Sequence, residues 1–135
     1  MPSIHDSLLT GYTVDGKIQS IVFHTEPDRG CGEVRIDIVF SGVVAYHIEA
    51  DCFQNVVFGI EEVSASQVIG DGTAFAERHR LHGWPRDWNP DKETAEQFLS
   101  RPGIRVFALN CSYGATAWVA ARAIEERVIS PVSAD

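Results

Sequence analysis

Between Glu33 and Val63 the chain alternates apolar and polar residues with a period of two. Val34, Ile36, Ile38 and Phe40 are interleaved with Glu33, Arg35 and Asp37, which sends one set of side chains to a core and the other to water. Ser41-Gly42 follows and reads as a hairpin connector, because glycine accepts the positive φ that tight turns demand. In the next run Val44, Tyr46 and Ile48 fall on one face and Val43, Ala45, His47 and Glu49 on the other. Residues 51 to 55 turn the chain into a third run, Val56 to Val63. Three β-branched, aromatic-rich runs separated by short turn clusters predict a sheet meander.

The flanking pattern extends this sheet. Tyr12-Thr13-Val14, Asp15-Gly16 and the run from Lys17 to Phe23 form a hairpin signal, with Asp-Gly suited to a type I′ turn. Residues 25 to 32 are a loop by their Pro and Gly content, so strands one to five are expected to pair in sequence order. Residues 5 to 10 are too short to classify, though Asp6 or Ser7 could cap a single turn. From 64 to 90 the period-two signal stops. A short helix can fit from about Thr73 to Leu81, ended by Gly83, and the remainder is irregular. Long connections of this kind are usually binding loops or lids. Asn89-Pro90-Asp91 predicts a helix start, since Asn caps, Pro is pre-set for the first position, and Asp91 and Glu93 suit the positive end of the dipole. Arg101-Pro102-Gly103 ends that helix. Residues 103 to 122 predict a further hairpin around Cys111 to Gly114, and 123 to 129 either lengthen its second strand or add a helical turn. The expected fold is α+β and mainly β: one domain over residues 1 to 135, with about seven antiparallel strands in a curved sheet or small sandwich and one helix near 91 to 100.

Composition narrows the function classes. A chain of 135 residues, 44% hydrophobic and 22% charged, can bury a core without metals or disulfides. The net charge of −8 argues against nucleic acid, whose affinity comes from Lys and Arg neutralising phosphates, and suits a basic partner. No apolar run approaches a membrane span, and the N-terminus lacks a secretory pattern, so a cytoplasmic protein without a membrane partner is expected. Three cysteines without a Cys-x-x-Cys pair suit a reducing compartment.

Candidate chemistry is sparse. His79 and His82, three apart, would share a helix face; a metal site would need a third and usually a fourth ligand, for which Asp71, Glu77 and Asp87 are the nearest candidates, and Arg78 and Arg80 oppose a cation. Cys111 would need a base within hydrogen-bond reach to act as a nucleophile, and His24 and His47, both on strands, could meet it only if the sheet closes favourably. Glu61-Glu62 and Glu125-Glu126 point to opposite faces of a strand and form no acid/base dyad. Gly70-Asp71-Gly72 lacks the flanking strand and Lys of a phosphate loop. No catalytic residue, metal or cofactor is therefore assigned. The candidate binding surface is Arg78, Arg80, Trp84, Arg86 and Trp88 with His79 and His82, because Trp and Arg dominate binding hot spots. The competing reading folds Trp84 and Trp88 inward as a plug over the core. Trp118, mid-strand, is read as core.

His5 to Leu9 with the following hairpin, Phe40 to Tyr46, and Cys111 to Ala115 leading into Trp118-Val119 together resemble small uncharacterised bacterial proteins, some of them similar to the immunity partners of secreted toxins. The resemblance implies a bacterial, cytoplasmic, non-catalytic protein and carries no catalytic motif. The leading expectation is a non-enzymatic interaction protein that binds a basic protein partner. The alternatives are a small-molecule-binding or hydrolase-like protein with a pocket between the sheet and residues 64 to 90, and a homodimer that pairs sheet edges or faces.

Overall fold

A computed structural model describes residues 7–26, 35–49, 55–70, 88–89, 91–113 and 116–129. Eight strands carry the fold: β1 (Leu8–Asp15), β2 (Ser20–Glu26), β3 (Arg35–Ser41), β4 (Ala45–Glu49), β5 (Asn55–Val63), β6 (Arg105–Tyr113), β7 (Thr116–Ala121) and β8 (Ala123–Ile129). Two short helices, α1 (Ala65–Ile69) and α2 (Ala95–Leu99), lie between β5 and β6 in sequence. The architecture is α+β and mainly β, and every strand pairing is antiparallel.

The strand order is β4-β7-β6-β5-β1-β2-β3-β8, and its two ends are not independent. β3 runs through a bend at Gly42 into β4, and β7 runs through a bend at Arg122 into β8. These two bent strands pair along both halves, β3 with β8 and β4 with β7. Backbone bonds carry the ladder through the bends: Arg122 N–H donates to the carbonyls of Ser41 (3.0 Å) and Gly42 (3.3 Å), and Val44 N–H donates to Ala120 (2.9 Å). Following the pairings round, the sheet closes on itself as a barrel with six walls, two of them bent.

This connectivity corrects the expected meander. Ser41-Gly42 does not close a hairpin, and β3, β4 and β5 are not neighbours in sequence order. Gly42 has φ +63° and bends one long strand instead. The bend also resets the alternation: Tyr46 and Ile48 join the barrel interior while Val44 packs with Ala45 on the outside, so the expected Val44, Tyr46, Ile48 face is split. The β1–β2 hairpin forms as expected. Its loop, though, spans residues 16 to 19, and the positive φ sits at Gln19 (+53°) rather than in a two-residue Asp-Gly turn. Leu8 to Thr10, unclassified from sequence, belong to β1, and residues 123 to 129 are strand.

Among the described residues, the buried side chains of the barrel interior come from β1, β2, β3, β5, β6 and β7, with Tyr46 and Ile48 of β4 and Ile124 of β8 packed against them. Phe23 meets Phe40 edge to face and Phe40 meets Phe107 at a tilt, with ring centroids 5.4 and 5.6 Å apart, around Ile21, Ile38 and Val119. Each such fully buried side chain contributes about 1.5–3 kcal/mol relative to exposure. Thr25, polar and 2% exposed, satisfies its hydroxyl by donating to the Ile36 carbonyl at 2.6 Å. A second cluster covers the outer face of β6, β7 and β4: Val106, Trp118, Ala120 and Ala45 meet Trp88 and the helix residues Ala65, Phe98 and Leu99.

The helices begin where local chemistry permits. Ser64 N–H donates to Gln67 Oε1 at 2.8 Å ahead of α1. Thr94 Oγ1 accepts from Gln97 N–H (3.1 Å) while Gln97 Oε1 accepts from Thr94 N–H (2.9 Å), a reciprocal capping box. The helix expected from residue 91 therefore starts at Ala95. Asn89 instead caps a preceding turn, its Oδ1 accepting from Asp91 N–H at 3.0 Å.

Candidate functional site

The barrel wall opens where the bent strand leaves β2. Ser20 pairs with Ser41, and Val43 N–H donates to the Gln19 carbonyl at 2.9 Å. Beyond that point β4 pairs with β7 alone and ends the strand order, so its other edge faces the β1–β2 hairpin without a strand between them among the described residues. The gap is a cavity of about 330 Å³ lined by Val14, Asp15, Gly16, Gln19, Ser20, Ile21, Val43, Val44, Tyr46 and Phe98. Val14, Ile21, Val43, Val44, Tyr46 and Phe98 supply most of its apolar lining. The hairpin contributes the polar rim of Asp15, Gln19 and Ser20.

The hairpin loop is held by a local contact. Asp15 Oδ1 accepts the backbone N–H groups of Lys17 (3.0 Å) and Ile18 (3.3 Å), an Asx turn that holds the loop. Phe98 reaches the cavity from α2, which the capping box and the buried Leu99 anchor on the outer cluster. The cavity can take an apolar side chain or a small apolar ligand with a polar end. Among the described residues, its lining brings together no nucleophile and base.

A different row of polar groups crosses the barrel wall. His24 Nδ1–H donates to Asp37 Oδ1 on β3 at 3.0 Å, and His24 Nε2 lies 2.9 Å from Thr13 Oγ1 on β1. In the tautomer that carries its proton on Nδ1, toward the carboxylate, the Nε2 lone pair accepts the Thr13 hydroxyl proton. This order of hydroxyl, imidazole and carboxylate is that of an activated nucleophile. Here it lies across three adjacent strands, Thr13 on β1, His24 on β2 and Asp37 on β3. The row ties β1, β2 and β3 together from outside.

Glu62 and Arg105 join β5 to β6 at 2.8 Å. The guanidinium hydrogen bond, reinforced by its charge, holds the Glu62 carboxyl below its ordinary 4.5 against a smaller opposing effect of desolvation. Arg105 rises correspondingly, chiefly through the same hydrogen bond.

Of the residues singled out from sequence, Arg78, His79, Arg80, His82, Trp84 and Arg86 lie outside the described residues, as does the possible helix over 73–81. Trp88 is described and is 6% exposed. Its Nε1–H donates to the Glu93 carbonyl at 3.2 Å, and its ring lies 6.5 Å from that of Phe98. For Trp88, then, the inward reading describes the structure. Trp118 also joins the outer cluster. Cys31 and Cys52 lie outside the described residues, and the Cys111 backbone is part of β6.

The cavity residues were not singled out from sequence. Asp15 and Gly16 registered only as a turn, and Ser20, Val43 and Val44 as strand. Their common feature is the divergence of two strands, which no local pattern encodes. Among the described residues no group of three His, Cys, Asp or Glu side chains could hold a metal ion, and no helix is long and apolar enough to cross a membrane. Comparison with family models, curated proteins and solved structures finds no match.

Proposed function

We propose that this chain is a non-enzymatic binding protein that takes an extended segment of a basic protein partner along the outer edge of β4. The observation that carries this reading is the position of the 330 Å³ cavity directly beside that edge. A strand added to β4 would gain main-chain hydrogen bonds, and every second side chain would point toward the cavity, which is the division of labour in strand addition. The net charge of −8, with Asp15 on the cavity rim and Glu49 exposed at the end of β4, favours Lys or Arg at the intervening positions. A cytoplasmic, immunity-like role against a basic toxin is the biological setting that fits this chemistry.

The test is an NMR titration with ten-residue peptides alternating Leu or Val with Lys. Saturable shifts at Gln19, Val43 and the β4 amides are expected, with loss of binding of at least tenfold in Ser20→Arg, which fills the cavity and adds a like charge. Shifts spread over other surfaces, or none at millimolar peptide, would overturn the reading. A parallel titration with octanoate separates the alternative: saturable shifts confined to the cavity lining, with no peptide response at β4, would assign a small-molecule site instead.

A further inference from the structure

We propose that two copies of this chain associate through β8, the two strands running antiparallel about a two-fold axis that passes through Glu126. β8 is the other end of the strand order. It pairs with β3 along its whole length, from Ala123 opposite Ser41 to Ile129 opposite Arg35, and among the described residues no strand meets its far edge. An unpaired seven-residue strand is a template for another chain. Val128, 61% exposed, is a large apolar side chain left on it.

The register follows from symmetry and the residues themselves. A two-fold axis perpendicular to a sheet keeps each face on its own side, and opposite residues in an antiparallel pair share a face. The axis must therefore pass through a residue position, not between two. Centred on Glu126, the register sets Glu125 against the second copy's Arg127 and Arg127 against the second copy's Glu125. It also sets Ile124 against Val128 in both directions. Moving the axis to Glu125 or to Arg127 sets that residue against its own copy and leaves Ile124 or Val128 opposite a charge. Only the register on Glu126 matches charge with charge and apolar with apolar, and each such cross-strand pair is favourable. Within one copy Glu125 and Arg127 already share a face at 3.5 Å, both more than half exposed, so their charges are available across the edge. The one unfavourable pair is Glu126 with itself.

The contact is a single ladder, smaller than a standard protein interface, so a weak dimer in exchange with monomer follows. It uses an edge remote in the strand order from β4 and does not depend on what β4 binds.

Sedimentation velocity over a concentration series tests it. The average mass of the wild type should rise toward twice the 14.9 kDa of the chain. Glu125→Arg and Arg127→Glu should each stay monomeric, because each places like charges opposite one another twice. An equimolar mixture of the two variants should dimerise again, since both cross-strand positions then carry opposite charges. Glu126→Gln should tighten the wild-type dimer several-fold. A wild type still monomeric at about 1 mM, where even an association of about 4 kcal/mol is half complete, would overturn the proposal, as would single variants that dimerise like the wild type. As a check that needs no charge reversal, Glu126→Cys should form a 126-to-126 disulfide between copies on mild oxidation, and its absence in tryptic maps counts against the register.

Discussion

The aliphatic stem of Arg122 lies against Gly42 so closely that a β-carbon on Gly42 would sit 3.0 Å from both Arg122 Cβ and Cγ. The two residues are the bends of the two long strands, and each bend is possible because the other is there. Arg122 donates its backbone N–H across to Ser41 and Gly42 while its side chain covers the glycine.

Gly42→Ala is therefore disfavoured twice, by the positive φ and by the contact with Arg122. The expected loss is about 1–3 kcal/mol, read as a lower urea midpoint with an unchanged slope. An unchanged midpoint would mean that the bend can be built another way.

Thr94→Ala removes the cap that starts α2. About 1 kcal/mol should be lost, because Gln97 N–H no longer meets Thr94 Oγ1. Hydrogen exchange should rise first in residues 95 to 99, which hold Phe98 over the cavity, and only later in the barrel strands.

Trp88→Ala leaves a hole between α2 and the outer face of β6 and β7. Large aromatic truncations in a core cost about 3–5 kcal/mol, so a pronounced fall in melting temperature is expected. A Trp88 devoted to binding would leave the melting temperature where it was.

Glu62→Gln should alter how stability depends on acidity. The folded-state pKa of Glu62 lies below its unfolded value, so the unfolded chain binds the proton more readily in between. The contribution of the Glu62–Arg105 pair is then complete above about 4.5 and disappears as the pH falls through the lower folded value. The wild type and Glu62→Gln should differ slightly in melting temperature near neutrality and converge in acid. The difference is small because both partners are about half exposed. A difference that widened on acidification would reverse the sign.

Local pattern made the barrel strands legible and left their partners hidden. The alternation of Ile36, Ile38 and Phe40 identified an inward face because period two is a property of one strand alone. The Ser41-Gly42 signal was ambiguous, since a glycine at positive φ serves a hairpin and a bend equally. What separates the two is that β4 finds β7, and that pairing is set by residues far along the chain. The helix near residue 91 was legible in kind but not in start: Asn89-Pro90 carries the stronger cap signature, while the Thr94 and Gln97 pair does the capping. Ser64 and Gln67 carry the same spacing before α1 and went unread because the helix is one turn long. The cavity had no signature of its own. Val43 and Phe98 belong to segments with separate reasons to be apolar, and only the closing of the wall brings them together.

The mutual bending of the two long strands also governs the order in which the molecule can assemble. Phe40 must wait for Ile124, more than half the chain later, before the wall it belongs to has a neighbour on that side. Until then the inward face of β3 has only the local hairpin to shelter it, and closure resembles fastening the last stave of a cask. Contacts so distant in sequence slow folding toward the millisecond-to-second range, and they make the half-built cylinder the state most exposed to chaperones and to aggregation.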